Sequence, residues 1–162
     1  MTPIRKLFIA NRAEIALRIV RTARRLGIAT VLPWHAADRH GPALQQADQK
    51  VQLFGEPPVA AFLDIAAIVR AARDSGCDAV HPGYGFLSEN AAFARAVAEA
   101  GLVFVGPSAD VIERMGDKIR ARRFAVQQGL PVTPAADEAD EADDPTSFAE
   151  RARAVGFPLL VK

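Results

Sequence analysis

Two lysines in this chain stand where their ammonium groups could bind an anion. Lys118 opens a predicted helix directly after Met115-Gly116-Asp117, and Lys162 ends the apolar run at residues 157–161. A lysine at the end of a buried strand projects toward the sheet edge where ligands bind. Two lysines that converge on one anion act as point charges and are common at phosphate sites. Most helix lysines are solvent-exposed, so Lys118 is weak evidence by itself.

The segment from His81 to Asn90 is a second candidate site. It follows a predicted buried strand, and two of its glycines, Gly83 and Gly85, flank Tyr84. Glycine permits unusual backbone angles and the close approach of a ligand. Ligands of open α/β sheets bind beyond the carboxyl ends of the strands. A Gly-x-Gly pattern alone more often marks a tight turn, so the whole segment must carry the case for a binding loop.

The first predicted strand-to-helix turn, Ala10-Asn11-Arg12-Ala13-Glu14, contains no glycine. Dinucleotide-binding folds need glycines at this turn so that backbone amides can approach a pyrophosphate. The bulky Asn11-Arg12 pair therefore argues against an NAD or FAD site. We expect Asn11 to hydrogen-bond locally and to open the following helix, whose positive N-terminal dipole suits Glu14.

Three arginines, Arg18, Arg21 and Arg25, recur at spacings of three and four residues and therefore share one helical face. A solvated face opposite the core explains this pattern. A subunit interface or an anionic partner also explains it, because the planar guanidinium pairs with carboxylates through two hydrogen bonds. Both interpretations stay open at this point.

These residues are carried by strands that alternate with helices. Apolar runs predict strands at 6–10, 28–32, 51–54, 78–81 and 102–105. Helical periodicity predicts helices at 13–26, 65–73 and 90–99. We expect Pro33 to end the second strand and Asp64 to cap the second helix. Because such alternation forms a parallel sheet with right-handed crossovers, we predict an open, doubly wound α/β domain at residues 1–117.

The character of the sequence changes after residue 117. A helix is predicted at 117–128 with Gly129 as its stop, and an acidic loop at 135–146 is too polar to bury much surface. A short helix at 147–154 and a strand at 157–162 follow. We interpret residues 118–162 as the first part of a second domain.

Composition excludes several classes of function. The chain has 162 residues and a net charge of +1, so it gives no global case for binding nucleic acid. Its single cysteine, Cys77, excludes an internal disulfide and fits a buried apolar position in a reducing compartment. No signal peptide and no apolar run of membrane-spanning length are present, which predicts a cytoplasmic protein without membrane contact.

Five motifs together resemble the N-terminal part of biotin carboxylases, which belong to the ATP-grasp superfamily. They are Ala10-Asn11-Arg12-x-Glu14-Ile15-Ala16-x-Arg18, Ala37-Asp38-Arg39, His81-Pro82-Gly83-Tyr84-Gly85-Phe86-Leu87-Ser88-Glu89-Asn90, Phe104-Val105-Gly106-Pro107 and Met115-Gly116-Asp117-Lys118. The sequence departs from the family pattern at Ala13, where glycine is usual, at Gln49, where an acid is usual, and at Pro33-Trp34-His35.

The resemblance implies a ligase that uses MgATP and bicarbonate to carboxylate biotin on a carrier protein. It implies a Rossmann-like pre-ATP-grasp domain at residues 1–117, followed by the start of the ATP-grasp domain. Matching the family motifs residue by residue implies that Lys118 and Lys162 contact ATP phosphates. It also implies that Tyr84 and Gly85 line the biotin side of the active site and that Glu89 has a supporting role there. Arg18 and Arg21 fall at a homodimer interface. The further partners implied are a biotin carboxyl carrier protein or domain and a carboxyltransferase.

In this family a chain that ends at Lys162 has only just reached the nucleotide site. We therefore expect the glycine-rich lid, the Mg²⁺ ligands and the catalytic base to lie beyond this chain, and the isolated chain to be inactive. Phosphoryl transfer depends on positioning and on charge neutralisation by Mg²⁺, which two lysines cannot supply. The alternatives are a non-catalytic dimerisation or interaction module and a different ATP-grasp ligase.

Overall fold

The computed structural model of the protein describes residues 3–135 and 145–160. The chain divides into two compact units, Met1–Glu113 and Arg114–Lys162. No helix among the described residues is long and apolar enough to cross a bilayer.

The first unit is built on a five-stranded parallel sheet with strand order β3-β2-β1-β4-β5. The strands are β1 (Lys6–Ile9), β2 (Ala29–Trp34), β3 (Gln49–Gln52), β4 (Ala79–His81) and β5 (Val103–Phe104). Leu7 lies opposite Thr30 of β2 on one side and Ala79 of β4 on the other, so β1 is the centre of the sheet. The predicted open parallel α/β sheet is confirmed.

Helices cover both faces of this sheet. The chain forms α1 (Ala13–Arg25), α2 (Pro42–Gln46), α3 (Pro58–Ala61), α4 (Ile65–Asp74), α5 (Ala91–Glu99), α6 (Ala109–Gly116), α7 (Lys118–Gln127) and α8 (Pro145–Val155), with a 3₁₀ turn at Ala36–Asp38. Leu7 and Ile9 of β1 pack in a core with α1 and α2. Phe8, the strand residue between them, packs in a second core with α4 and α5. This alternation confirms the doubly wound arrangement, because successive strand side chains point to opposite faces.

Two predicted strand boundaries in the first unit are wrong. Strand β2 continues through Pro33 to Trp34. Its ladder with β1 stops at Val31, so the N–H that Pro33 lacks is not needed on that side. Strand β3 lies two residues upstream of the predicted 51–54, because this edge strand alternates half-buried and exposed residues and its apolar run marks only the final part.

The chain after β5 also departs from expectation, both at the end of the first unit and in the second unit. Helix α6 was not predicted, since Ile112 is its one buried apolar side chain and Val111 and Met115 are exposed. The described part of the predicted strand at 157–162, Phe157 to Leu160, is not a strand. Lys162 and most of the predicted acidic loop at 135–146 lie outside the described residues. Asp117 caps α7, accepting hydrogen bonds from the N–H groups of Ile119 and Arg120 at 2.9 Å each.

Cys77 is part of the core, as predicted. Its side chain packs with the cluster on the α4 and α5 face, and burial raises the pKa of its thiol to about 11. A thiol with so little thiolate at neutral pH is a poor nucleophile, so the residue has a packing role.

We predict that Ala13→Gly stabilises the first unit. Ala13 has a φ of +51°, in the left-handed region that costs an L-residue about 1–2 kcal/mol. Glycine removes this strain but loses about 0.4–1 kcal/mol through unfolded-state entropy, so the net gain is about 0.5–1 kcal/mol. Urea unfolding measures it. Ala66→Gly, at an exposed position in the first turn of α4, is the control and should be destabilising. A destabilising Ala13→Gly would contradict the strain argument.

Candidate functional site

The candidate site lies at the topological switch point of the sheet. From β1 the chain crosses to β2 and β3 on one side and later to β4 and β5 on the other. The carboxyl ends of β1 and β4 are therefore neighbours whose following segments lead in opposite directions. Open α/β sheets bind ligands at this position. The two segments that meet here are the Asn11-Arg12 turn after β1 and the loop at residues 82–86, the tyrosine loop, after β4.

The tyrosine loop has an unusual backbone. Gly83 and Gly85 have φ angles of +69° and +70°, and Phe86 has a φ of +47°. The ring of Phe86 lies 5.6 Å from that of Phe62, a fully buried side chain. This packing offsets the strain of a bulky residue in the left-handed region. Strain of this kind is retained mainly where the surrounding structure over-determines the conformation, which is common at functional sites.

The tip of the loop is open to solvent. Tyr84 is 59% exposed, and a Cβ added at Gly85 would meet no atom within 4 Å. The Tyr84 hydroxyl makes no hydrogen bond to any described residue. Glu89 is also exposed, at the last position before Asn90, which caps α5 by accepting the N–H of Phe93 at 3.0 Å. The loop therefore presents an aromatic ring and accessible backbone to a ligand.

His81 supports the start of the loop. Its Nδ1 accepts the N–H of Gly83 at 3.0 Å, which requires that nitrogen to be unprotonated. Burial lowers the pKa of His81 below its ordinary value of 6.5. The imidazole is therefore neutral at physiological pH, with its proton assigned to Nε2.

We predict that His81 makes the first unit less stable as the pH falls. Because its folded-state pKa is lowered, the unfolded chain binds more protons below about pH 6.5, and stability is lost as pH decreases through that value. The urea midpoint should decrease between pH 7.5 and 5.5, and His81→Gln should flatten this dependence. His40→Gln, at an exposed side chain outside the loop, is the matched control. Equal slopes for His81→Gln and the parent would contradict the prediction.

The prediction that Asn11 hydrogen-bonds locally is confirmed, since its Oδ1 accepts the N–H of Arg12 at 2.9 Å, but the prediction that it opens α1 as the cap is wrong. Residue Arg12 is the N-cap of α1, and no side chain caps that helix. Asn11 is instead fully buried, and its Nδ2 donates hydrogen bonds to the carbonyl oxygens of Pro82 at 2.8 Å and Tyr84 at 2.9 Å. Sequence reasoning missed this contact between two motifs that lie about seventy residues apart. The feature of the sequence that could have indicated this contact is an asparagine at a turn that lacks the glycines of a dinucleotide-binding fold.

Arg12, the other bulky residue of this turn, makes a separate set of contacts. Its guanidinium forms an ion pair with Asp38 and lies 5.5 Å from the centre of the Phe62 ring. The turn thus carries two bulky side chains, Asn11 and Arg12, where a dinucleotide-binding turn has glycines. This geometry agrees with the sequence argument against a dinucleotide site.

A largely apolar groove of about 500 Å³ runs beside the tyrosine loop. It is lined by α1 and by residues of the sheet that include Leu7 of the central strand β1, with Ile15, Arg18, Ile19, His81 and Tyr84 also among its walls. Arg18 and Arg21 are exposed, and neither forms an ion pair with a described residue. A predicted interface residue, Arg18, and a predicted biotin-side residue, Tyr84, therefore border the same groove.

The two predicted phosphate lysines belong to the second unit. Lys118 is the first residue of α7 and is exposed, without an ion pair to any described residue. Lys162 lies outside the described residues. No group of three His, Cys, Asp or Glu side chains that could hold a metal comes together in residues 3–135 and 145–160.

Comparison with known proteins identifies the family. The family model "Biotin carboxylase, N-terminal domain" matches residues 3–112. The chain is 47% identical over 159 residues to the biotin carboxylase of Halalkalibacterium halodurans, covering 98% of this chain and 34% of that protein. It is 45% identical over 159 residues to the biotin carboxylase of Pseudomonas aeruginosa, covering 98% of this chain and 35% of that protein.

A solved structure extends this likeness to the fold. The biotin carboxylase domain dimer of Hydrogenobacter thermophilus 2-oxoglutarate carboxylase, in complex with MgADP, ADP and bicarbonate, has a TM-score of 0.88 at 36% identity. The structural match covers 98% of the present chain and 34% of the Hydrogenobacter thermophilus chain. The present chain thus spans about a third of the length of the relatives it matches. Since the family model covers more than half of the chain, the chain belongs to the biotin carboxylase N-terminal domain family.

Proposed function

We propose that this chain is the N-terminal part of a biotin carboxylase, the ligase that uses MgATP and bicarbonate to carboxylate carrier-bound biotin. The observation that carries the proposal is the exposed tyrosine loop at the switch point of a chain that belongs to this family. The alternative of a different ATP-grasp ligase has no comparable support, since the family model that matches is that of biotin carboxylase.

In this proposal the tyrosine loop forms the biotin side of the active site. Tyr84 offers an exposed aromatic face, and the open space at Gly85 lets a ligand approach the backbone closely. Glu89 has a supporting role, for which its exposed carboxylate is available. The chemistry of carboxyl transfer is supplied by groups beyond this chain.

Lys118 and Lys162 bind ATP phosphates in this proposal. An ammonium group at the first position of α7, without an acidic partner among the described residues, suits a polyanion. The Mg²⁺ ligands belong to the part of the carboxylase that follows. We accordingly divide the chain into a pre-ATP-grasp domain at residues 1–117 and the start of the ATP-grasp domain at 118–162, with an acidic loop at 135–146.

The partners proposed are a biotin carboxyl carrier protein or domain, a carboxyltransferase and a second copy of the carboxylase. Arg18 and Arg21 lie at the homodimer interface in this proposal, which their exposure without ion-pair partners in the described chain supports. The biotin carboxylase domain of the Hydrogenobacter thermophilus enzyme was solved as a dimer. A cytoplasmic location is proposed on the single cysteine, which fits a reducing compartment.

A chimera tests the proposed function. Residues 1–162 replace the matching segment of the Pseudomonas aeruginosa biotin carboxylase, and biotin-dependent release of ADP from ATP is measured with bicarbonate present. The chimera should be active, and the isolated chain should show no bicarbonate-dependent ATP hydrolysis. A folded chimera without activity would contradict the assignment, and activity of the isolated chain would contradict its dependence on the remaining two thirds.

The interaction-module alternative makes its own prediction. If the arginine face of α1 mediates self-association, Arg18→Glu should lower the dimer fraction of the isolated chain by at least tenfold, because a like charge in an interface costs several kcal/mol. Size-exclusion chromatography with light scattering measures the molecular mass. Arg70→Glu, at an exposed arginine on α4, is the matched control. A monomeric parent chain indifferent to Arg18→Glu would contradict this alternative.

A further inference from the structure

The strongest unassigned feature of the structure is the buried side chain of Asn11. It is fully inaccessible and joins the turn after β1 to the loop after β4, across the switch point of the sheet. The Nδ2 donates to the carbonyl oxygens of Pro82 and Tyr84, and Oδ1 accepts the N–H of Arg12 at 2.9 Å. Each of these three bonds stays within normal hydrogen-bond distance.

We propose that Asn11 is the positioning residue that sets the conformation of the tyrosine loop. It holds the two carbonyl groups on either side of Gly83 and thereby fixes the direction in which Tyr84 leaves the protein surface. Its significance for biotin rests on the function proposed above. The hydrogen bonds of this amide set the loop conformation whether or not biotin binds there.

The chemistry of the contact selects an amide. Two carbonyl oxygens face the same nitrogen, so the side chain must supply two N–H donors there. A carboxylate of equal size would place negative oxygen against both carbonyls. Serine or alanine would leave at least one buried carbonyl unpaired, at the full cost of its desolvation.

The loop has little room to adjust around Asn11. A Cβ added at Gly83 would lie 2.6 Å from the Asn11 Nδ2 and 2.8 Å from the Ile15 Cγ2. The loop backbone is therefore packed directly against the amide. Displacement of one should displace the other, which distinguishes Asn11 from a buried polar residue that only adds stability.

Hydrogen exchange of the 162-residue chain tests the proposal. The amides of Gly83 and Ser88 report on the loop, because they donate to His81 Nδ1 and to the Gly85 carbonyl. In Asn11→Asp and Asn11→Ala these amides should exchange roughly ten- to a hundredfold faster than in the parent, as the loss of two hydrogen bonds predicts. Thr30→Val is the matched control, since it removes a buried hydroxyl that bonds to Asp48 away from the loop.

The pH profile separates positioning from simple destabilisation. Burial raises the pKa of the carboxyl group introduced by Asn11→Asp, and its protonated form can donate one hydrogen bond. The NMR signals of Tyr84 and Gly85 in that variant should therefore shift back toward the parent as the pH falls. Asn11→Ala retains His81 and Arg12 but lacks the introduced carboxyl group, so its loop signals should not shift back toward those of the parent as the pH falls. If the Asn11 variants showed the same loop NMR signals and the same loop-amide exchange rates as Thr30→Val, the proposal would be overturned.

The parent chain supplies a test that needs no variant. It contains two asparagines, Asn11 and Asn90. Both side-chain N–H protons of Asn11 are bonded, whereas Asn90 uses its oxygen, accepting the N–H of Phe93. The Asn11 side-chain amide should exchange at least tenfold more slowly than that of Asn90. Equal rates would overturn the proposal even if the variants failed to fold. None of these measurements requires ATP or biotin, so their outcome is independent of the chimera result.

Discussion

Gly83→Ala is expected to lower the free energy of unfolding by about 3 kcal/mol, the largest stability effect that we predict. The left-handed φ of +69° costs an L-residue about 1–2 kcal/mol. The added methyl group would also meet Asn11 and Ile15 at 2.6 and 2.8 Å, and overpacking of this kind costs about 1–3 kcal/mol. Urea unfolding followed by the fluorescence of the single tryptophan, Trp34, measures the change.

Gly85→Ala is the matched control for this prediction. Its φ of +70° is the same within a degree, but no atom lies within 4 Å of the added Cβ. Gly85→Ala should therefore lower the free energy of unfolding only by the cost of placing an alanine at a left-handed φ, about 1–2 kcal/mol. The difference between the two variants isolates the close packing of the loop against Asn11. Equal losses would mean that the Asn11 amide moves aside without cost.

The sheet and its helices could be predicted from the sequence because short apolar runs and helical periodicity report burial directly. Strand β1 and helix α1 show this, since every buried residue in them is apolar. The prediction was wrong where burial is partial. Edge strand β3 and helix α6 have few buried side chains, so hydrophobicity marks them poorly. The prediction that Pro33 ends β2 was wrong for a different reason. The ladder between β1 and β2 already stops at Val31, so Pro33 interrupts no hydrogen bond to β1.

The candidate site could be predicted in part. The two glycines around Tyr84 suggest a loop that a ligand can approach, and Tyr84 and Gly85 are exposed. The assignment of Tyr84, Gly85 and Glu89 to a biotin site came from the resemblance to biotin carboxylases and stays a prediction. The role of Asn11 could not be deduced from local rules. Asparagine after a strand suggests a helix cap, and only the pairing of β1 with β4 brings it beside Pro82 and Tyr84. Contacts between distant segments depend on the order of the strands, which local patterns do not contain.

The described part of the second unit exposes several apolar side chains. Helix α7 has no buried residue, and Phe124 and Val126 on it are exposed, as are Leu130 and Leu160. The proposed ATP-binding role of Lys118 is therefore best tested in the active chimera.

In that chimera, Lys118→Ala is expected to lower the kcat/KM for ATP by about a hundredfold, the largest effect on activity that we predict. Removing one preorganised group that stabilises transferring charge typically costs about 10²–10³ in rate. Lys118 is exposed and not paired with any described acid, so the substitution should leave stability nearly unchanged. Biotin-dependent ADP release at varied ATP concentration measures the effect.

Two further variants define what this result means. Lys118→Arg keeps the charge but not the compact ammonium geometry, so it should retain more activity than Lys118→Ala. Lys50→Ala, at an exposed lysine on β3, is the matched control and should have the activity of the unmodified chimera. If Lys118→Ala stays within threefold of that activity, Lys118 does not bind the ATP phosphates. The nucleotide site would then have to obtain its positive charge from other parts of the carboxylase.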